Sequence, residues 1–274
     1  MKAKEFLDAG DLAAAIAQVG VELKAAPTDG AKRTLLFELL CCAGDLERAV
    51  KQLDVIGTES SDRDLAVQPY RNVLEGESKR RRVFSDGLVP GLPKRIPDYT
   101  RLHLEAINRI REGHYAEALA LLEEAEAARP PVAGTINGEP FDDLKDADDL
   151  LGPFLEVITA NNYSWIPWEA VRSVSMEAPR HLRDLVWLPA RVELDIGSLG
   201  EVFLPVLYVN SYQHQDNRVK LGRMTDWQTD AGGLSLASGQ KLLVAGERDW
   251  PLLEIRQLVF EPSSANDGDP STNS

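Results

Sequence analysis

The strongest constraint on this chain's fold is a phrase that recurs in register. Gly10-Asp11-Leu12, Gly44-Asp45-Leu46 and Gly113-His114-Tyr115 open three similar stretches. The first two glycines stand 34 residues apart, and the third follows 69 residues later. Five residues after each glycine comes an alanine (Ala15, Ala49, Ala118), followed by an apolar residue (Ile16, Val50, Leu119). Seventeen residues after the glycine stands Pro27 in the first copy and Pro130 in the third, with Ser61 in the second. Each residue type has a physical role. A glycine ends a helix where the backbone turns left-handed. A small alanine lets the next helix pack closely, and its apolar neighbours share one helix face. The proline stops that second helix.

A period of 34 residues is that of the tetratricopeptide repeat. Residues 1–130 therefore read as stacked helical hairpins, with first helices over 2–9, 31–43 and 99–112. The stretch 68–98 starts as a helix at Tyr70, Val73 and Leu74 and ends in a Gly/Pro-rich piece from Gly87 to Pro93, a loop or a damaged repeat. Its run Lys79-Arg80-Arg81-Arg82 reads as a solvated helix face, with an anion or acidic-partner site as the alternative.

After Pro130-Pro131 the character changes. Residues 131–144 are rich in Gly, Pro and Asp and read as a linker. Residues 145–261 carry short apolar runs broken by turns. Asn161-Asn162 reads as a hairpin turn between strands over 154–159 and 163–166. Pro167 can open a short helix through Val171 and Val174. Further strands are expected over 185–196, 202–209, 219–224, 241–245 and 252–260. Residues 262–274 are polar and read as a disordered tail. The fold class expected is α+β, with helical repeats first and a smaller β-rich unit second.

Composition narrows the function. With 43% hydrophobic and 27% charged residues the chain is globular, and its net charge of −14 repels phosphate backbones, which argues against nucleic-acid binding. Cys41 and Cys42 are adjacent, too close for an unstrained disulfide, and read as buried thiols of a reducing cytosol. The N-terminus has no apolar signal-peptide core, and no apolar run reaches membrane-spanning length, so a cytoplasmic protein is expected.

A search for chemistry returns little. The four histidines, His103, His114, His181 and His214, have no zinc spacing, and no cofactor or metal is expected. Gly239-Gln240-Lys241 lacks the Gly-Lys-Ser/Thr of a phosphate loop, and no Gly-x-Ser-x-Gly elbow occurs. The acidic stretch around Asp142, Asp143, Asp146, Asp148 and Asp149 does not fit a calcium loop and reads as a solvated or helix-capping segment, or as a partner-binding patch. Tyr163, Trp165, Trp168, Trp187 and Trp227 read either as the core of a small β-rich unit or as a recognition surface. An enzyme would draw on Asp146, Asp148, His181 and Arg223 in one pocket; a permanent structural subunit would expose a large apolar patch.

The second half carries more specific motifs. They run Asp146-Ala-Asp-Asp-Leu-Leu-Gly152-Pro153, Asn162-Tyr163-Ser-Trp165-Ile-Pro167, Pro179-Arg-His-Leu-Arg-Asp184-Leu-Val-Trp187-Leu-Pro189-Ala190 and Leu221-Gly-Arg223-Met-Thr-Asp-Trp227. This pattern resembles the ImpE family, also called TagJ or SciE, of type VI secretion accessory proteins. The resemblance implies a cytoplasmic, non-catalytic adaptor. Its expected partners are the N-terminal helix of the small sheath subunit and a ClpV-type AAA+ ATPase. Stacked hairpins offer a groove for such a helix, with Leu36, Leu39, Arg101, Glu105 and Arg109 as expected contacts. In the second half, Asp146, Asp148, Trp165, Trp187, Arg223 and Trp227 are the expected contacts.

Overall fold

The computed structural model describes residues 2–58, 60–160, 162–230 and 232–262. Helices come first: α1 (Ala3–Asp8), α2 (Leu12–Ala25), α3 (Gly30–Cys42), α4 (Leu46–Gly57), α5 (Ser61–Asp86), α6 (Tyr99–Arg111) and α7 (Tyr115–Ala128). Strands follow: β1 (Gly134–Ile136), β2 (Glu139–Phe141), β3 (Leu144–Asp146), β4 (Phe154–Thr159), β5 (Asn162–Pro167), β6 (Val171–Met176), β7 (Trp187–Leu194) and β8 (Gly197–Pro205). A one-turn helix, α8 (Asn217–Lys220), precedes β9 (Thr225–Thr229), β10 (Ser235–Gly239), β11 (Leu242–Ala245), β12 (Arg248–Pro251) and β13 (Gln257–Phe260). The fold is α+β.

The repeated phrase has one structural meaning in all three copies. Gly10, Gly44 and Gly113 follow α1, α3 and α6 with φ of +78°, +71° and +79°, the left-handed turn that a side chain resists. Asp11 and Asp45 then cap the next helix, accepting from the backbone N–H of Ala14 and Arg48. Ala15, Ala49 and Ala118 are wholly buried where each second helix meets its partner. The result is three helical hairpins, α1–α2, α3–α4 and α6–α7.

Most strands form one antiparallel sheet in the order β2-β1-β13-β6-β7-β8-β4-β5. A three-stranded sheet, β12-β11-β3, and a two-stranded ribbon, β10-β9, complete the second half. The stretch 131–144 is not a linker. Val132, Ile136, Phe141 and Leu144 are buried, β1 pairs with β13, and β3 pairs with β11. Its turn residues Asn137 and Gly138, at φ of +52° and +87°, close the tight β1–β2 hairpin.

Other expectations shift locally. The β4–β5 hairpin forms, but β5 already starts at Asn162, paired with Thr159. Asn161 lies outside the described residues, as does the expected tail beyond Pro262. After Pro167 comes a single 3-10 turn (Trp168–Ala170) and then strand β6, in which Val174 and Met176 alternate onto the buried face and a register shift between Val171 and Ser173 lets Val171 be buried as well. The expected strand at 219–224 begins instead as α8, capped by Asp216, which accepts from Arg218 N. The run 252–260 splits into a 3-10 turn (Leu252–Glu254) and β13. Helix α5 runs to Asp86 and the Gly/Pro-rich piece begins at Gly87, where the sequence placed it.

The two halves share one continuous hydrophobic core. Helix α5 joins them, packing on α4 along one side and on β4 and β5 along another. At Gly76 a Cβ would fall 2.4 Å from the Ile158 side chain, so only glycine admits this helix–sheet approach. Nearby, Phe84 lies against Trp165, and Trp165 stacks on Phe154 at 4.8 Å between ring centroids.

Candidate interaction surfaces

Of the first helices expected to line a groove, α3 is covered by the chain itself. Every residue of α3 from Leu36 to Cys42 is buried; Leu39 is only 1% exposed. A helix apolar on all sides is an interior helix. The 3-10 turn Leu182–Leu185 covers α3, with Arg183 Nη1 donating to Glu38 and its guanidinium 4.6 Å above the Tyr70 ring. Tyr212 closes the end of α3 so tightly that a Cβ on Gly44 would fall 2.4 Å from its ring. Arg81 lies over the Tyr212 ring at 3.8 Å and donates to Gly44 O at 2.9 Å. Leu36 and Leu39 are thus core residues, not partner contacts.

On α6 the predicted residues fall on the wetter side. Arg101 is exposed. Arg109 reaches Glu105 at 2.7 Å, Glu112 at 2.8 Å and Glu117 at 3.5 Å, a half-exposed surface ladder. The opposite face carries His103, buried edge-on against Phe154. Its Nδ1–H donates to Leu150 O at 3.0 Å, and burial pushes its pKa down to about 4, so the ring is neutral.

The acidic stretch is divided: Asp142 and Asp149 are exposed and Asp143 is half-exposed against Arg129, whereas Asp146 and Asp148 are buried. Asp146 accepts from Lys241 Nζ at 2.8 Å and Tyr208 Oη at 2.8 Å. Lys241 also reaches Glu156 at 2.7 Å, and Arg80 grips Glu156 through Nε at 2.7 Å and Nη2 at 3.1 Å. Tyr163 Oη donates to the same carboxylate, and Trp165 Nε1 donates to Tyr163 Oη. Arg80 further donates to Leu207 O at 2.9 Å, and Trp187 Nε1 donates to Glu77 at 3.2 Å. Burial pushes the Glu156 carboxyl up, but Arg80 and Lys241 outweigh it and hold the pKa down to about 2. This network pins helix α5 to the sheet. Its charges are buried and mutually paired, which is how a fold carries ions in its interior.

Asp146, Trp165 and Trp187 therefore belong to the interior. So does Asp148, which accepts from Leu150 N at 3.0 Å and Ala237 N at 2.9 Å. Burial first, and the charge of Asp146 second, push its pKa up to about 7. The four residues of the enzyme reading are scattered. Asp146 and Asp148 point inward, His181 is exposed at the start of its 3-10 turn, and Arg223 is exposed and donates to Leu7 O on α1. Trp227, on β9, remains 41% exposed beside Tyr208.

The basic run is not a uniformly solvated face: Arg81 is partly buried against Tyr212, and Arg80 is only 2% exposed. The pattern that reveals it is the buried stripe Val73, Gly76, Glu77, Arg80 and Val83, spaced at i, i+3, i+4, i+7 and i+10 along α5. Glu156, a single polar residue in the apolar strand β4, and Lys241, just before β11, carry no such pattern.

Sequence reasoning also missed a wide open depression. A groove of about 920 Å³ runs between the first half of α5 and strands β6, β7 and β8. Tyr70, Met176 and Phe203 supply apolar contact surface, and Glu177, Arg191 and Arg256 supply charge.

Among the described residues no group of three or more His, Cys, Asp or Glu is placed to hold a metal ion, and no helix is long and apolar enough to cross a membrane. The family model described as ImpE protein matches residues 138–259. The chain is 38% identical over 265 residues to the type VI secretion system accessory component TagJ of Pseudomonas aeruginosa, covering 97% of this chain and 93% of that protein. The crystal structure of protein VPA1032 from Vibrio parahaemolyticus superimposes with a TM-score of 0.88 at 25% identity, over 96% of this chain and 98% of that one.

Proposed function

The chain belongs to the ImpE protein family, and from that premise we propose that it is a non-catalytic accessory adaptor of a type VI secretion system, working in the cytoplasm. In this reading its tetratricopeptide-like hairpins are scaffold. The adaptor holds the N-terminal helix of the small sheath subunit and assists a ClpV-type AAA+ ATPase in sheath disassembly. The name of the Pseudomonas aeruginosa relative supports the accessory role.

One observation carries the choice of surface. Helix α3, one of the expected groove-lining helices, is covered by residues 182–185 and Tyr212 of the same chain, whereas the groove beside α5 is open. A helix is about 10–12 Å across with its side chains, and a cleft of about 920 Å³ accommodates the apolar face of a short amphipathic segment. Arg101, Arg223 and Trp227 keep exposed side chains and stay proposed as secondary contacts.

The test is fluorescence anisotropy with a labelled peptide of the sheath subunit's N-terminal helix. Phe203→Asp and Arg191→Glu should each weaken binding at least tenfold while the thermal melt stays within a few degrees. Unchanged affinity in both variants removes the groove from the proposal. No binding to the wild-type chain removes the sheath helix as partner.

A further inference from the structure

An exposed strand edge is a row of unpaired N–H and C=O groups that accepts another strand. Several edges of this chain are guarded. In the large sheet, the end strand β2 carries Pro140 at its centre. The other end strand, β5, is covered by Gly91, whose N–H donates to Tyr163 O at 2.8 Å and whose carbonyl accepts from Trp165 N at 2.9 Å. In the three-stranded sheet, the end strand β12 closes on Pro251. The outer side of β10 is capped by side chains. Asp148 Oδ2 accepts from Ala237 N at 2.9 Å, and Ser211 Oγ accepts from Gly239 N at 2.8 Å.

The outer side of β9 has no such guard. Ala237 stands opposite Trp227, and Gly239 opposite Thr225. Because the Ala237 and Gly239 N–H groups point away from β9, the backbone groups of Trp227 and Thr225 point away from β10, and alternation adds Thr229. The even-numbered residues face β10 instead: Met224 O accepts from Gln240 N at 3.2 Å, and Asp230 N donates to Leu234 O at 3.0 Å. Among the described residues nothing pairs with the outward backbone groups of Thr225, Trp227 and Thr229. The strand holds no proline, and Trp227, Gln228 and Thr229 are exposed.

We propose that this edge receives β9 of a second copy of the chain, antiparallel, about a two-fold axis through Trp227. The strand is self-complementary in that register. Trp227 meets its own copy, Thr225 meets Thr229, and Asp226 meets Gln228, so no like charges stand opposite each other. All three outward residues of each strand exchange their N–H and C=O groups. The two indoles, each 41% exposed in the single chain, lie side by side at the axis. Moving the axis to residue 226 sets Asp226 against its own copy, and moving it to residue 228 leaves Thr225 beyond the end of the paired strand. Each copy carries a net charge of −14, so the association tightens as salt screens the repulsion, whereas a basic partner strand would bind more weakly. In the paired form Trp227 is taken up by the second copy and is closed to a sheath helix. Strand β9 contributes nothing to the groove beside α5, so the groove titration and the test of this edge fail independently.

The test is sedimentation velocity of the full chain over a concentration series, together with amide hydrogen exchange. The expected result is a monomer–dimer equilibrium that tightens with salt. The Thr225, Trp227 and Thr229 amides should gain at least tenfold protection as concentration rises, while the Asp226 and Gln228 amides stay protected throughout. Trp227→Pro removes an outward N–H and no bond to β10, and should raise the dimer dissociation constant at least tenfold. Thr229→Pro does the same at the strand end and serves where the central proline disturbs the ribbon. A dimer that both proline variants leave unchanged is formed by another surface and overturns the proposal. A chain that stays monomeric with unprotected outward amides leaves the edge to a strand of another protein and overturns the second copy as occupant. Outward amides protected in the monomer mean that the chain closes its own edge, which overturns it equally.

Discussion

Replacing Glu156 by glutamine tests whether the buried ion network ties the helices to the sheet. Glutamine keeps the shape but removes the charge that Arg80 and Lys241 share. The folded carboxyl is held down to about 2 against an ordinary value of 4.5. At about 1.4 kcal/mol per pKa unit, that gap corresponds to about 3 kcal/mol. Removing one partner of a buried ion pair costs a similar ~3–5 kcal/mol, because the remaining charges are left unpaired in a dry interior. The expected loss on urea unfolding at neutral pH is therefore about 3 kcal/mol, or a melting temperature lower by roughly 6–12 °C for a chain of this size. The sign with pH follows from the depressed carboxyl. Its contribution is present above pH 4.5 and is lost as pH falls toward 2, so the variant should show a shallower acid decline than the wild type in that window. Far-UV circular dichroism reads mainly the helices, and tryptophan fluorescence reads the sheet side. Both should shift together, because Arg80 sits on α5 and Glu156 on β4. A loss below about 1 kcal/mol, or a shift in fluorescence alone, would refute the account of the network as the tie between the halves.

Two further predictions concern packing and titration. Gly76→Ala should cost about 1–3 kcal/mol by overpacking, and Ile158→Ala in the same chain should recover part of it; urea melts that show no coupling would disprove the close approach. Asp148 and His103 should oppose each other with pH. The native chain keeps a proton on Asp148 up to about 7, so its contribution to stability falls as pH rises from 3.8 to about 7. His103 refuses a proton until about 4, so its contribution rises as pH rises from about 4 to 6.5. The wild type should therefore be nearly flat between pH 4 and 7, with Asp148→Asn exposing a rise and His103→Asn a decline; a flat profile in both variants contradicts these assignments.

The helical hairpins were legible because their signals are local. A left-handed glycine, an Asp cap and a small alanine each act within a few residues, and all three recur at fixed offsets. The strands at 154–159 and 163–166 were legible as short apolar runs on either side of a turn signal, and β7 lies within the strand read over 185–196. The linker reading of 131–144 failed because Asn and Gly mark tight hairpin turns as readily as loose chain, and the difference lies in pairing with β13, more than a hundred residues away. The candidates that turn out buried, Leu36, Leu39, Asp146, Asp148, Trp165 and Trp187, were misplaced for the same reason. Leu36 and Leu39 were read as a groove because nothing local announces that residues 182–185 and 212 come back to cover α3. Asp146 was read as solvated because its partner, Lys241, stands 95 residues further on. Sequence periodicity reports which face of an element is apolar; it does not report whether another chain or the same chain covers it.

The covering of α3 also sets an order of events during synthesis. The helices leave the ribosome first, yet the turn that closes over Leu36–Cys42 begins only at Leu182. At about 5–20 residues per second, the apolar flank of α3 waits roughly 7–30 s for its own lid. A nascent chain arrested anywhere between about residues 60 and 180 would carry that flank bare, and it is there, rather than in the finished protein, that this chain is most in need of a chaperone.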